Sequence, residues 1–435
     1  MLDWPLLTGA APLAVQITAV IGAVWLIART LRSHRSLWAK VAELTLCLGF
    51  AAGLTALLDH LARTVWMLFP DRLDPAIYGW VGAGIFAVTL AVARCTSRVD
   101  ERHGAASIAA GFVVLMACAN QVNGIYGTYL TPRDLLGLPP HQDIALSDVA
   151  SDVTVLPQVV PLEPGWSPPP GLGLRGKLTS AIIPGRRSGF GARPAAIYLP
   201  PAYFSDPRPQ LPVLVLLAGQ PGDPDNWVSA GRLAAIMNGF AALHHGLAPV
   251  VVMADDTGSR FADPLCVDSR RGHADTYLAE DVPRWVQARF TVDPDPRGWA
   301  IAGVSYGGTC ALQLGTNHPE VYPTFLDISG SLEPTLGSRP RTVADGFDGD
   351  QAAFTRVNPL DLLRTRRYPG SAARFVVGAD DPTSRTDART VDAAATAAGM
   401  NTGFAEVPGS HDWRCFTGAL TMELPWLGQR MGLTR

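Results

Sequence analysis

The hydrophobic pattern divides the chain in two. Four long apolar runs fill its start, at roughly 6–27, 41–58, 77–92 and 105–122. Each approaches the ~20 residues that span a hydrocarbon core, so the pattern predicts four transmembrane helices. Beyond residue 174 it changes to short Val/Leu/Ile runs alternating with helical periods. Strands are expected at 195–199, 213–217, 250–253, 299–302, 324–328, 374–377 and 404–407. Helices are expected at 230–243, 276–290, 309–317, 386–398 and 416–431. Continuous apolar runs mark strands covered on both faces, which predicts a mainly parallel sheet flanked by helices. From about Thr131 to Leu174 the chain is rich in proline and glycine and has no helical period. That stretch reads as a semi-rigid spacer along the domain surface. The expected organisation is an all-α transmembrane region over 1–125, a linker over 126–174 and an α/β domain over 175–435.

Charge orients the membrane region. Arg29, Arg32, Arg35 and Lys40 follow the first run, and Arg94, Arg98 and Arg102 follow the third. The second loop balances Arg63 and Arg72 against Asp59, Asp71 and Asp74, and almost nothing basic precedes the first run. Basic loops stay in the cytoplasm, so both termini and the α/β domain are expected outside it, in a multi-pass cell-membrane protein. The first run lacks the basic start of a signal peptide and three more runs follow it, so it reads as a retained helix. Asp59, His60 and Arg63 read as a solvated helix end rather than an ion path.

At 435 residues, 48% hydrophobic and 17% charged, the chain carries less charge than an ordinary soluble protein's ~25%. Its net charge of −3 and the absence of a basic stripe from the C-terminal half exclude nucleic acid as a partner. The six cysteines show no C-x-x-C or Cys/His ligand spacing, so no metal and no other cofactor is expected. A disulfide among Cys266, Cys310 and Cys415 is compatible with an extracytoplasmic domain, and spacing leaves the pairing open.

The chemistry converges on Gly303-Val304-Ser305-Tyr306-Gly307. An apolar strand candidate enters this G-x-S-x-G and a helical stretch leaves it, the context of a nucleophile elbow. Gly303 and Gly307 leave room across a sharp turn, which would expose the Ser305 hydroxyl beside the Tyr306 amide and a helix N-terminus. Cys310, five residues on, reads as core.

Further stretches are similar to the esterase D-like family of α/β hydrolases, which includes feruloyl esterases and secreted mycolyltransferases. They are Ala196 to Tyr203, Leu211 to Gly219, Asp275 to Trp285, the elbow, Ile328-Ser329-Gly330-Ser331 and Gly409-Ser410-His411-Asp412-Trp413. The resemblance covers about 175–430 and implies an α/β-hydrolase fold with the order Ser, acid, His along the chain. Of the two histidines after Ser305, His318 reads as a helix end before Pro319, which leaves His411 as base. The acid falls in Ala379-Asp380-Asp381-Pro382; the resemblance selects Asp381, with Asp380 the alternative and the other carboxylate a cap for the turn. Asp412 is too near His411 in sequence and reads as solvated. A second oxyanion amide is expected from Gln220, since Pro221 has no N–H, with Gly219 and Gly222 letting the backbone approach. Trp227 reads as either an acyl-pocket wall or plain packing. Glu280 and Arg284 read as a surface pair.

The expectation is a membrane-anchored serine esterase that hydrolyses an acyl ester of a cell-envelope or lipid substrate through an acyl-enzyme. Acyl transfer to a sugar or lipid hydroxyl, or removal of aminoacyl groups from lipid headgroups, would use the same residues. Ala218 stands where the mycolyltransferases carry an acid for the sugar acceptor, which counts against trehalose as acceptor. A non-catalytic scaffold on the same fold is the reading from another class.

Overall fold

The computed structural model describes residues 2–33, 35–66, 73–95, 103–150 and 153–435. Asp71, Arg72, Arg98 and Arg102, which enter the charge argument, lie outside them. The chain forms two compact units, Met1–Leu138 and Pro139–Arg435.

The first unit holds α1 (Ala10–Arg32), α2 (Leu37–His60), α3 (Pro75–Cys95) and α4 (Gly104–Tyr126). All four are long and apolar enough to cross a membrane, α2 continuing through a π-turn to Val65. Their outward residues are themselves apolar: Val20, Ile21, Leu46 and Phe112 are all more than half exposed. Such a surface is stable only in a solvent as apolar as itself. Inside, small residues (Ala87, Ala91, Ala117) bring α3 and α4 close. The buried Arg94 pairs with Glu43, joining α3 to α2. At the other end Arg63 forks onto Asp59, at 2.5 and 2.7 Å, and Tyr78 donates to the same carboxylate at 2.9 Å. The helix-end charges are therefore neutralised locally. Thr131 and Asp134 form a capping box on the short α5 (Pro132–Leu135).

The second unit is built on one eight-stranded sheet in the order β1-β2-β4-β3-β7-β8-β9-β10. Its strands are β1 (Lys177–Ala181), β2 (Ala195–Leu199), β3 (Val213–Leu217), β4 (Val250–Met253), β7 (Trp299–Val304), β8 (Thr324–Ile328), β9 (Ala372–Gly378) and β10 (Phe404–Val407). A two-residue hairpin, β5 (Asp268–Ser269) and β6 (Gly272–His273), lies apart. From β4 across to β10 every pairing is parallel; β2 runs antiparallel to β4, and β1 to β2. β2, β3, β4, β7 and β8 are buried at every position, as continuous apolar runs require. β1 extends the expected sheet at its edge: Lys177-Leu178-Thr179-Ser180-Ala181 mixes polar and apolar positions and gives no apolar run.

Helices follow in the expected places. They are α6 (Leu233–Leu243), α7 (Ala274–Thr276) continuing through a π-turn into α8 (Val282–Arg289), α9 (Tyr306–Asn317), α13 (Pro382–Ala397) and α14 (Trp413–Arg430). Three short ones fill the β8–β9 connection: α10 (Arg339–Phe347), α11 (Gln351–Val357) and α12 (Pro359–Thr365). The proline-rich stretch is tied into this unit. Leu162 and Trp166 are buried in its core, the Trp166 indole donates to the His245 carbonyl, and Leu162 N–H donates to Gly432.

Candidate active site

β7 lies near the middle of the sheet, and at its C-terminal end the chain turns straight into α9. Ser305 occupies that corner with φ 55° and ψ −119°, a region costly for any residue with a side chain. The turn is held from both sides: Ser305 N–H donates to the Ile328 carbonyl on β8, and Thr309 N–H to the Ser305 carbonyl. A methyl on Gly303 would strike the Gly307 carbonyl, and one on Gly307 the Ala218 carbonyl, so only hydrogen fits at either glycine.

Two connections bring the partners. The Ser305 hydroxyl lies 2.8 Å from His411 Nε2, and His411 Nδ1 lies 2.8 Å from Asp381 Oδ2. A carboxylate at Nδ1 holds the proton there and leaves Nε2 to accept from the hydroxyl. Asp381 is buried, which alone raises its pKa. The hydrogen bond and charge of His411, with Ser384 behind, outweigh burial and hold the carboxyl below its usual range. The Asp381 carboxyl therefore stays ionised at neutral pH.

Asp381 has a second task. Its other oxygen accepts from Ser384 N–H at 3.1 Å and caps α13, while Ser384 Oγ stands 3.4 Å from His411 Nδ1. The cap expected of the neighbouring carboxylate is thus provided by Asp381 itself. Asp380 is exposed, and the carboxylate bonded to the imidazole is that of Asp381; the Asp380 backbone N–H donates to Gly409 and its carbonyl accepts from Ser410, which pins the histidine loop. Asp412 is also not merely solvated. Its carboxylate caps α14 through Cys415 N–H at 2.8 Å and takes Ser410 N–H at 3.1 Å.

Trp227 resolves toward packing. It is wholly buried, its indole donates to the Leu217 carbonyl at 2.8 Å, and its ring meets Trp413 edge-on at 5.2 Å. Trp413 touches Phe416, and Phe416 meets the His411 ring edge-on at 5.3 Å. Trp227 thereby buttresses the imidazole from behind rather than offering surface to a ligand.

The loop after β3 reaches the serine as well. A Cβ on Gly219 would lie 3.3 Å from Ser305 Cβ, so the residue before Gln220 passes the serine within contact. Tyr306, as first residue of α9, has an amide with no acceptor inside the helix. His318, by contrast, lies away from the serine, its Nε2 2.6 Å from Asp275 Oδ2. Glu280 and Arg284 form a half-exposed pair at 3.2 Å.

Cys266 and Cys310 form a disulfide, with Cα atoms 5.3 Å apart. Cys415 is a free, buried thiol. Asp256 lies within 4.8 Å of both bridge sulfurs, which are committed to each other rather than open to a metal.

Residues 191–427, more than half of the chain, match the family described as Putative esterase. The chain belongs to this Esterase family. It is accordingly a serine hydrolase of the carboxylic-ester class, on an α/β-hydrolase fold. An uncharacterised protein of Corynebacterium glutamicum is 36% identical over 409 residues, which cover 92% of this chain and 91% of that one. Diacylglycerol acyltransferase/mycolyltransferase Ag85C of Mycobacterium leprae is 35% identical over 69 residues, 16% of this chain. The match spans about a fifth (20%) of that acyltransferase's length. Among solved structures, a ferulic acid esterase superposes with a TM-score of 0.52 and 18% identity, covering 60% of this chain and all of that one.

The Esterase-family unit also holds carboxyls whose burial outweighs the pull of nearby cations, Arg193 on Asp225 and Arg271 on Asp263. Asp327 on β8 takes Gly330 N–H at 2.8 Å and sits against Gly308 in the first turn of α9. Burial, with the charge of Asp387, pushes it up to about 7. Burial likewise pushes Asp263 up to about 6, and Asp225 to about 6 with the Asp223 charge adding. All three folded values stand above the ordinary 3.8, so the stability tied to them is fully present below that pH and lost as pH rises through 6–7. Asp327→Asn should therefore melt about 3–6 °C above wild type at pH 8 and converge with it near pH 4, read by thermal denaturation. Parallel curves across that range would contradict the assignment.

Proposed function

We propose that the protein is a membrane-anchored serine esterase in which Ser305 is the nucleophile, His411 the general base and Asp381 the orienting acid. The observation that carries this reading is the unbroken hydrogen-bond chain from Ser305 through His411 to Asp381, two links of 2.8 Å. Ser305 Oγ attacks the ester carbonyl while His411 Nε2 takes its proton. The Tyr306 and Gln220 amides hold the oxyanion of the tetrahedral intermediate. His411 then returns the proton to the departing alcohol, leaving an acyl group on Ser305. Water, activated by the same imidazole, releases the acid.

The substrate we infer is an acyl ester of the cell envelope, presented to a catalytic unit outside the cytoplasm. The arginine-rich loops after α1 and α3 support that placement, as does a disulfide in the catalytic unit. Water as acceptor fits Ala218, which offers no carboxylate beside the oxyanion loop to take up a sugar hydroxyl.

Ser305→Ala should lower turnover of a p-nitrophenyl ester by about 10⁴–10⁶-fold, and near-normal hydrolysis by that variant would end the reading. With labelled envelope lipids, wild type should consume one ester and release free acid; a new ester appearing in its place would make the protein an acyltransferase instead. A reporter active only outside the cytoplasm, fused after Arg435, should be active, and signal only from a cytoplasmic reporter would reverse the topology.

A further inference from the structure

The loop between β4 and α7 touches both halves of the proposed oxyanion site. On one side the Arg260 carbonyl accepts from Gly222 N–H at 3.2 Å, and the Arg260 guanidinium reaches Asp223 at 2.9 Å. The next carbonyl, of Phe261, accepts from the Gln220 side-chain amide at 3.3 Å. On the other side Cys266 N–H donates to the Tyr306 hydroxyl at 3.0 Å, and Cys266 is bonded covalently to Cys310 in α9, one turn beyond Ser305. One segment thus grips the peptide that carries the Gln220 amide and the side chain of the residue that carries the other amide.

Its backbone needs holding. Leu265 and Cys266 both lie in the left-handed region, at φ 64° and 49°, where neither side chain is favoured. Left-handed residues persist only when their surroundings over-determine them. Here the bridge, the Tyr306 hydroxyl and the Leu265 side chain packed against Gly346 of α10 do so. Cys266 and Cys310 are 1% and 0% exposed, so no external thiol reaches the bridge while the loop is seated. That burial favours a fixed brace over a redox switch.

We propose that Cys266 and Cys310 are positioning residues for acyl transfer: their bridge, acting through the Tyr306 hydroxyl, sets the spacing of the Tyr306 and Gln220 amides. The proposal rests on the oxyanion role given to those amides above. Oxyanion donors act only on the charge that develops in the transition state, so loosening them lowers kcat and leaves KM nearly alone.

The test uses the full chain in detergent, with the p-nitrophenyl ester, in wild type, Cys266→Ser/Cys310→Ser, Tyr306→Phe and the triple variant. The double-serine variant, assayed below its own melting temperature, should lose about 10–100-fold in kcat, a part of what removing a whole oxyanion donor costs. KM should stay within about threefold. Tyr306→Phe keeps the bridge and the amide and removes only the hydroxyl link; it should lose about 3–10-fold in kcat. The triple variant should fall no lower than the double, because both changes cut one path. Unchanged kcat in Tyr306→Phe, or losses that multiply in the triple variant, would overturn the proposal. Should the double-serine variant fail to fold, Tyr306→Phe decides alone by the same split. Turnover persisting in Ser305→Ala would instead sink the serine mechanism, whatever the bridge variants do.

Discussion

A serine held at φ 55° at the end of a buried strand is the constraint on which the rest of this unit depends. That backbone is costly, of order 1–3 kcal/mol, and it persists because neighbouring strands and α9 leave the chain no alternative. The Ser305 N–H is taken by β8, and the flanking glycines let the β3 loop and the start of α9 close in to contact. Everything proposed for the chemistry needs that corner. The hydroxyl must project above the sheet, the helix N-terminus must lie beside it, and the β3 loop must close over it.

The other two residues proposed for the chemistry reach the corner by being tied to structure that would exist without them. Asp381 is the N-cap of α13, so its helix fixes one oxygen and leaves the other for the imidazole. His411 sits on a loop pinned by the Asp380 backbone and by the Asp412 cap, with an aromatic series from Trp227 through Trp413 to Phe416 at its back. Caps and core packing thus perform the alignment, and little conformational freedom remains to be lost when substrate arrives.

Much of this was legible in sequence for physical reasons. Strands buried on both faces must be apolar throughout, and helices able to cross a membrane must be long and apolar, so β3, β4, β7, β8 and α1–α4 declare themselves. The elbow does too, because a serine flanked by a glycine two residues to either side answers a steric demand. What escaped was set by tertiary context. α10, α11 and α12 are short and polar, and their placement rests on contacts such as Asp350 capping α11 and Arg339 bonding Asp361. Trp227 offered the same letters for a pocket wall and for a buttress. The cysteine pairing was likewise hidden, since it depends on a loop without periodicity that folds back onto α9.

The choice between two adjacent aspartates is where the account is most exposed, because only one of them lies on the hydrogen-bond chain. The most direct measurement is the rate at which a fluorophosphonate modifies the protein, with the adduct located by mass spectrometry, in wild type, Asp381→Asn and Asp380→Asn. The account predicts a single adduct on Ser305, a rate about 10³–10⁴-fold slower in Asp381→Asn, and a near-wild-type rate in Asp380→Asn. An adduct elsewhere, or a loss confined to Asp380→Asn, would contradict it.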